Sequence, residues 1–221
     1  MGIIRMKIQA LDWTQGDVGH VSVALRGGYC RIDWGDGHTS SIKAHPYEVL
    51  SQHVSHVYPS RCKKSGDVFE VVISSSGDNI MSFDTGCIDM AICEVDLSKC
   101  PELESLHLTG PVNKIDTRFN KSLKKLSIQN AYEMSLDLSQ NQALEQIEIR
   151  GYDSRRLDIS KCDRLWYLDC GSSKMQEIAV SNNSELKEVI FWYDCPLNEK
   201  SLRFVKRTVE RNNGSISVIV Y

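Results

Sequence analysis

A chain of 221 residues, 41% of them hydrophobic, is long enough to bury a sizeable core and spans one or two domains. The net charge of −3, with both signs interspersed, disfavours nonspecific nucleic-acid binding, which requires a basic patch, and no nucleic-acid partner is expected. No apolar run approaches about 18 residues, so no membrane-spanning helix is expected.

The N-terminus, Met1-Gly2-Ile3-Ile4-Arg5-Met6-Lys7, carries charges inside its apolar stretch and does not read as a signal peptide. The cytoplasm is therefore the default compartment; the alternative is the cell surface or secretion, if an upstream signal has been removed. Met6–Leu11 alternates like an edge strand, and His20–Leu25 alternates again before the turn Gly27-Gly28. Tyr29–Trp34 continues the pattern into Gly35-Asp36-Gly37, a hairpin-turn signal. Val68–Ile73 is a further strand, ended by Ser74-Ser75-Ser76-Gly77-Asp78. Short strands at regular spacing between Gly-rich turns predict a β-sandwich.

Three marks within this part, Ile32-Asp33-Trp34-Gly35-Asp36-Gly37, then His56-Val57-Tyr58, then Gly66 leading into the strand through Ile73, resemble a polycystic-kidney-disease-type (PKD-like) domain. The resemblance covers about seventy residues. It implies an immunoglobulin-like module used in adhesion or as a spacer. The stretch 42–55 departs from the pattern, as a loop longer than usual with a helical turn around Tyr47-Glu48-Val49-Leu50.

Residues 77–94 follow. Ile80, Phe83, Ile88, Met90 and Ile92 are apolar but keep poor register with what comes next, and they read as a degenerate turn capping a solenoid. No Pro/Gly/Ser-rich tether separates the two parts, which predicts a continuous sheet or a tight junction.

From Val95 the chain repeats one phrase five times. Val95-Asp96-Leu97-Ser98-Lys99-Cys100 precedes Leu103-x-x-Leu106-x-Leu108. The phrase begins again at Ile115, Leu136, Leu157 and Ile178, in steps of 20, 21, 21 and 21 residues. Its later halves are Leu123-x-x-Leu126-x-Ile128, Leu144-x-x-Ile147-x-Ile149, Leu165-x-x-Leu168-x-Cys170 and Leu186-x-x-Val189-x-Phe191. A fixed period in this range signals a stacked solenoid, because one turn has too few aliphatics to fold alone. In each L-x-L pair both aliphatics point inward and the residue between them points out. Cys100, Asn120, Asn141, Cys162 and Asn183 share one slot. An Asn there can satisfy buried backbone groups, and a Cys fits the same small space as a weak donor.

These phrases resemble leucine-rich repeats, in particular the short-repeat bacterial type with LDLS-x-N/C in each turn. One feature departs from that family: the Asn expected three residues after L-x-L is replaced by Pro111, Ala131, Tyr152, Ser173 and Asp194.

Pro196 followed by Asn198 as N-cap opens a helix carrying Leu197, Leu202, Val205 and Val209 on one face. Asn212-Asn213-Gly214 ends it, and Ser215–Tyr221 is a last strand. Helix and strand together read as a cap on the open end of the solenoid. The expected fold is thus mainly β: a PKD-like β-sandwich over 1–76, a junction with a degenerate capping repeat over 77–94, five leucine-rich repeats over 95–195, and a helix–strand cap over 196–221.

Eight cysteines stand in the chain, but Cys100, Cys162 and Cys170 occupy repeat slots where Asn or an aliphatic stands in sister turns. They read as buried free thiols rather than disulfides. His45, His53, His56 and Cys62 offer zinc-type ligands. The spacing lacks both a His-Glu-x-x-His and a Cys-x-x-Cys pattern, and His56 belongs to the His-x-Tyr mark, so no metal or cofactor is expected. Asp33 and Asp36 read as turn formers whose carboxylates accept backbone amides.

No nucleophile elbow, phosphate loop or zinc-protease signature appears, so the chain is not expected to be an enzyme. The exposed face of the repeats remains. His107, Lys125, Glu148, Arg150, Trp166, Tyr167, Asp169 and Trp192 are the candidate binding residues, since aromatics and Arg most often anchor interfaces. The expected function is a non-enzymatic scaffold that binds a protein or peptide. The alternatives are a glycan-binding adhesion protein and, far behind, a metal-dependent hydrolase at the His/Cys cluster.

Overall fold

The computed structural model describes residues 2–10, 19–26, 28–44, 52–58, 67–76, 80–88, 90–131, 134–171, 174–181, 183–192 and 195–219. Residues 45–50, which contain the expected helical turn, lie outside them. The first part of the chain forms β1 (Ile3–Ala10), β2 (Gly19–Arg26), β3 (Gly28–Asp33), β4 (Thr39–Ala44), β5 (Gln52–Tyr58), β6 (Val68–Ser75), β7 (Ser82–Ile88) and β8 (Met90–Asp96). The stretch 42–55, read as a loop, is therefore strand at both ends.

The L-x-L halves form β9 (Ser105–Thr109), β11 (Lys125–Gln129), β12 (Gln146–Arg150), β14 (Tyr167–Cys170) and β16 (Glu188–Trp192). The other halves hold only β10 (Ile115–Asp116), β13 (Arg156–Asp158) and β15 (Glu177–Ala179). Helix α1 (Glu199–Arg211) and β17 (Ser215–Ile219) end the described chain. The protein is mainly β with one helix among the described residues, and its repeats wind into a β-solenoid. That helix is not long and apolar enough to cross a membrane.

Two large sheets organise the molecule. One runs β10-β8-β1-β6-β3-β4; the other runs β17-β16-β14-β12-β11-β9-β7-β2-β5. In the second, every pair from β7 to β17 is parallel, while β7–β2 and β2–β5 are antiparallel. The junction is thus a shared sheet: β7 lies between a solenoid strand and a strand of the N-terminal part. Phe83, read as out of register, pairs with Leu106 and stands in the same inner column. Its step to Leu106 is 23 residues instead of 20 or 21, which hides it from a period search.

The inner column continues through Leu126, Ile147, Leu168, Val189 and Ile216, each paired with the next. Leu106 through Val189 are at most 1% exposed. Leu103, Leu123, Leu144, Leu165 and Leu186 are fully buried as well, at the inner end of each turn. Buried residues of both large sheets and of the solenoid belong to one contiguous core.

The return arm of each turn is held differently, since it has little ladder. Asn120 Nδ2 donates to the carbonyls of Leu97 and Cys100; Asn141 Nδ2 donates to those of Thr117 and Asn120; Asn183 Nδ2 donates to those of Ile159 and Cys162, all at 2.7–3.0 Å. Each Asn is fully buried and stitches its own turn to the one before. Cys100, in the first slot, donates its thiol to the Ile3 carbonyl at 3.5 Å. Cys100, Cys162 and Cys170 are free and buried. Burial pushes the Cys100 thiol up to about 11 and the Cys162 thiol up to about 12.

A second recurring device closes the turns. Asp96, Asp116, Asp137 and Asp158 each accept the backbone amide two residues on, at 2.9–3.0 Å. Hydrogen bonds from Ser98, Arg118, Ser139 and Ser160 hold these four carboxyls below their ordinary value.

At the C-terminal end, Asn198 caps α1 by accepting from Ser201 N at 2.8 Å. The helix follows the last turn of the solenoid. It packs against β15, and Ser201 Oγ accepts the Ile178 amide, so α1 stands where the next return arm would be. The strand after it joins β16 as one more rung. Gly214 is needed at that step because an added Cβ would collide with the Lys187 backbone.

Ile147→Ala should destabilise the chain by about 2–5 kcal/mol in equilibrium unfolding. Asn141→Ala should cost roughly 2–6 kcal/mol, at about 1–3 for each buried carbonyl left without its donor. A loss under about 0.5 kcal/mol for either would place that side chain at the surface. The four turn carboxylates have folded values below their unfolded ones. Their stabilisation is therefore complete above about pH 4 and is lost as pH falls through the lower folded values. Urea midpoints should drop over that window, and the drop should shrink in Asp96→Asn/Asp137→Asn, because Asn keeps the turn hydrogen bond without the titration.

Candidate functional site

Because side chains alternate, the nine-stranded sheet turns its aliphatics inward and aligns the residues between them in rows on its other face. One row reads Arg26, Ser82, Ser105, Lys125, Gln146, Tyr167, Glu188 and Ser215. The next reads Ala24, Asp84, His107, Ser127, Glu148, Asp169, Ile190 and Ser217. A depression of about 270 Å³ opens between them, lined by Ser105, His107, Lys125, Ser127, Gln146 and Glu148.

The sheet brings six of the expected residues onto this face. Lys125 and Tyr167 share the first row, and His107, Glu148 and Asp169 share the second. Arg150 lies one pair further along β12, opposite Gln129. His107 Nε2 meets Thr109 Oγ1 at 2.9 Å, and Ser127 Oγ donates to Glu148 at 3.5 Å. Asp169 is only 2% exposed, and Arg150 donates to its carboxylate at 3.1 Å. It acts on this face by fixing the guanidinium. Burial, then the charges of Asp169, Glu148 and Glu188, push the Tyr167 phenol above its ordinary value.

Trp166 stands just before β14, on the rim. Its backbone takes part in the same inter-turn pattern as Glu104, Lys124 and Glu145, and the residue is 37% exposed. It packs on Tyr167 with ring centroids 5.6 Å apart. Trp192 ends β16, and its side chain lies outside what is described. On the same rim Arg26 and Lys124 both hold Glu104, at 3.1 and 2.9 Å, and tie β2 to the first turn.

Of the His/Cys cluster considered from the sequence, only His53 and His56 lie among the described residues. His45 and Cys62 lie outside the described residues. His53 and His56 sit on opposite faces of β5, as a three-residue step in a strand requires. His56 instead points to the turn after β3, where its Nε2 meets Asp36 Oδ2 at 2.8 Å. His38, which sequence reasoning passed over, brings its Nδ1 within 3.2 Å of the same oxygen.

The turn itself is built as expected of Asp33 and Asp36. Asp33 accepts from Gly35 N at 3.0 Å and Asp36 Oδ1 from His38 N at 3.1 Å. Gly35 has φ +78° and lies so close to β6 that a Cβ would sit 2.7 Å from the Glu70 carbonyl. Trp34 stacks on the His56 ring, Tyr58 meets its edge, and the Tyr58 hydroxyl donates to the Trp34 carbonyl at 2.7 Å. Burial pushes the Asp36 carboxyl up, but hydrogen bonds from His56 and the His38 amide outweigh it and hold it below its ordinary value.

No family model matches the chain, and no curated protein matches it. Among solved structures, the functional domain of InlJ from Listeria monocytogenes, described as including a cysteine ladder, is similar at 23% identity with a TM-score of 0.48. The likeness covers 57% of this chain and 31% of that one, so the match spans less than a third of that protein's length.

Proposed function

We propose that the chain is a non-enzymatic scaffold that binds a protein or peptide on the outward face of its nine-stranded sheet. The observation that carries this reading is the pair of aligned rows with the depression between them. The turns of one fold spend their inward positions on packing, so the outward positions are free to vary, and they vary from Ser and Lys to Tyr and Glu. Five turns at about 4.8 Å each give a strip roughly 24 Å wide, a span suited to a polypeptide. Trp166 and Tyr167 supply an aromatic pair, and Lys125, Arg150, Glu148 and Glu188 supply charges of both signs around it.

In the same reading the solenoid is a leucine-rich-repeat array of the short-repeat bacterial type over 95–195. A PKD-like module over 1–76 precedes it, residues 77–94 form the junction, and 196–221 form the cap. The recurring LDLS-x-N/C phrase supports the first assignment. The Trp-Gly-Asp-Gly turn and the His-x-Tyr strand meeting at Asp36 and His56 support the second.

A photo-crosslinking residue at Ser127 should trap a partner in the native cell, and the same residue at Lys161, on the return arm, should not. Trapping from Lys161 alone would refute the assignment of this face. With the trapped partner in hand, Tyr167→Ala and Trp166→Ala should each weaken binding about tenfold, corresponding to about 1.4 kcal/mol. Unchanged affinity in both would show that the aromatic pair is not the anchor. A polysaccharide recovered in place of a polypeptide would move the reading to a glycan-binding adhesion protein.

A further inference from the structure

We propose that Asp36, His38 and His56 bind a divalent cation of the zinc class through Asp36 Oδ2, His38 Nδ1 and His56 Nε2, with a fourth position open to solvent. The three ligand atoms all lie within 4.8 Å of one another. In a tetrahedral zinc site with bonds of about 2.0–2.1 Å, neighbouring ligand atoms stand about 3.3 Å apart. The His38–Asp36 separation of 3.2 Å already matches, and the His56–Asp36 separation of 2.8 Å needs to widen by about half an ångström.

The donor set selects the ion. Two imidazole nitrogens and one carboxylate oxygen suit zinc and its neighbours, whereas calcium and magnesium need a shell of oxygens. Two of the ligands are held in place before any ion arrives. His56 is clamped between the face of Trp34 and the edge of Tyr58, and its side chain is 14% exposed. The Asp36 side chain is 3% exposed, with its other oxygen fixed by the His38 amide. Such second contacts orient ligands in metal sites.

The turn alone does not account for the third ligand. His38 serves the turn through its backbone, donating N–H to Asp36 and accepting from Trp34 N. Its ring is 67% exposed, tilts against the His56 ring with centroids 5.4 Å apart, and brings Nδ1 to the same oxygen that His56 meets. That exposure also leaves room for a water as the fourth ligand. Binding needs a lone pair on each nitrogen. In the bound form each neutral ring would carry its one proton on the nitrogen away from the ion, Nδ1 of His56 and Nε2 of His38.

The test is calorimetric titration of chelator-treated full-length chain with zinc, and separately with calcium. Zinc should bind at a single equivalent and calcium should not. His38→Ala should leave the melting temperature of the metal-free protein unchanged and weaken zinc binding at least about tenfold, the loss commonly seen when even an orienting partner is removed. His53→Ala, on the opposite face of β5, should have no effect. Cobalt in place of zinc should give a spectrum without thiolate charge-transfer bands, which separates this site from one built on a cysteine. Zinc affinity unchanged in His38→Ala, loss in His53→Ala, thiolate bands, or no zinc uptake would each overturn the proposal.

Discussion

The structure depends on how a turn with almost no ladder satisfies its backbone. The L-x-L half of each repeat hydrogen-bonds its neighbours as a parallel strand and needs no further help. The return half cannot, since β10, β13 and β15 are two or three residues long. An amide side chain solves this in three of the five turns, while the slots of Cys100 and Cys162 hold thiols. Asn120, Asn141 and Asn183 each reach back to two carbonyls of the preceding turn, at positions equivalent from turn to turn. Buried carbonyls need donors, and a single Asn with two N–H groups serves two of them. The requirement also fixes spacing: a turn one residue too long would carry the amide past its acceptors.

The ends and exceptions of this ladder obey the same requirement. The first slot holds Cys100, whose thiol turns to the N-terminal part at Ile3 because no earlier turn offers carbonyls. The last rung comes from outside the repeats: Asn212, at the C-cap of α1, donates to the carbonyls of Asn183 and Leu186 at 2.9 Å each. A helix therefore ends the stack while still delivering the side chain the stack needs. One oxygen is left over. Asn141 Oδ1 takes the Thr117 hydroxyl, but Leu97 stands at the corresponding place below Asn120, whose Oδ1 has no partner among the described residues. Local sequence choice thus shows where the repeat is imperfect.

The repeats were legible in the sequence because period and chemistry agree. An aliphatic that must face inward every 21 residues leaves a signal at fixed spacing, and so does the Asn that must face a carbonyl. Phe83 was not legible, although it belongs to the same column. The strand before it is antiparallel and comes from the N-terminal part, so nothing holds its step to the repeat length. The role of α1 was half legible: its cap and apolar face could be read, but its place beside β15 depends on a tertiary contact through Ser201, a residue with no distinctive pattern. His38 was missed for a related reason. An exposed His in a turn carries no periodic signal, and only the fold of β5 against that turn brings it within reach of His56.

Legibility differs between the two faces of the long sheet for the same reason. Inward, Phe83, Leu106, Leu126, Ile147, Leu168 and Val189 are constrained by shape and water exclusion, and all are apolar. Outward, the rows hold Ser, Lys, Gln, Tyr and Glu at equivalent positions, which folding alone does not require. A stack needs no buried carboxylate on its outer face, yet Asp169 lies almost wholly covered beneath Arg150. Burying a charge is costly unless it is paired, and here the pairing holds the Arg150 guanidinium on the same sheet face as Tyr167. Such an arrangement adds order to a surface position that packing leaves free, and under the proposed reading it would lower the entropy that Arg150 and Tyr167 lose on binding.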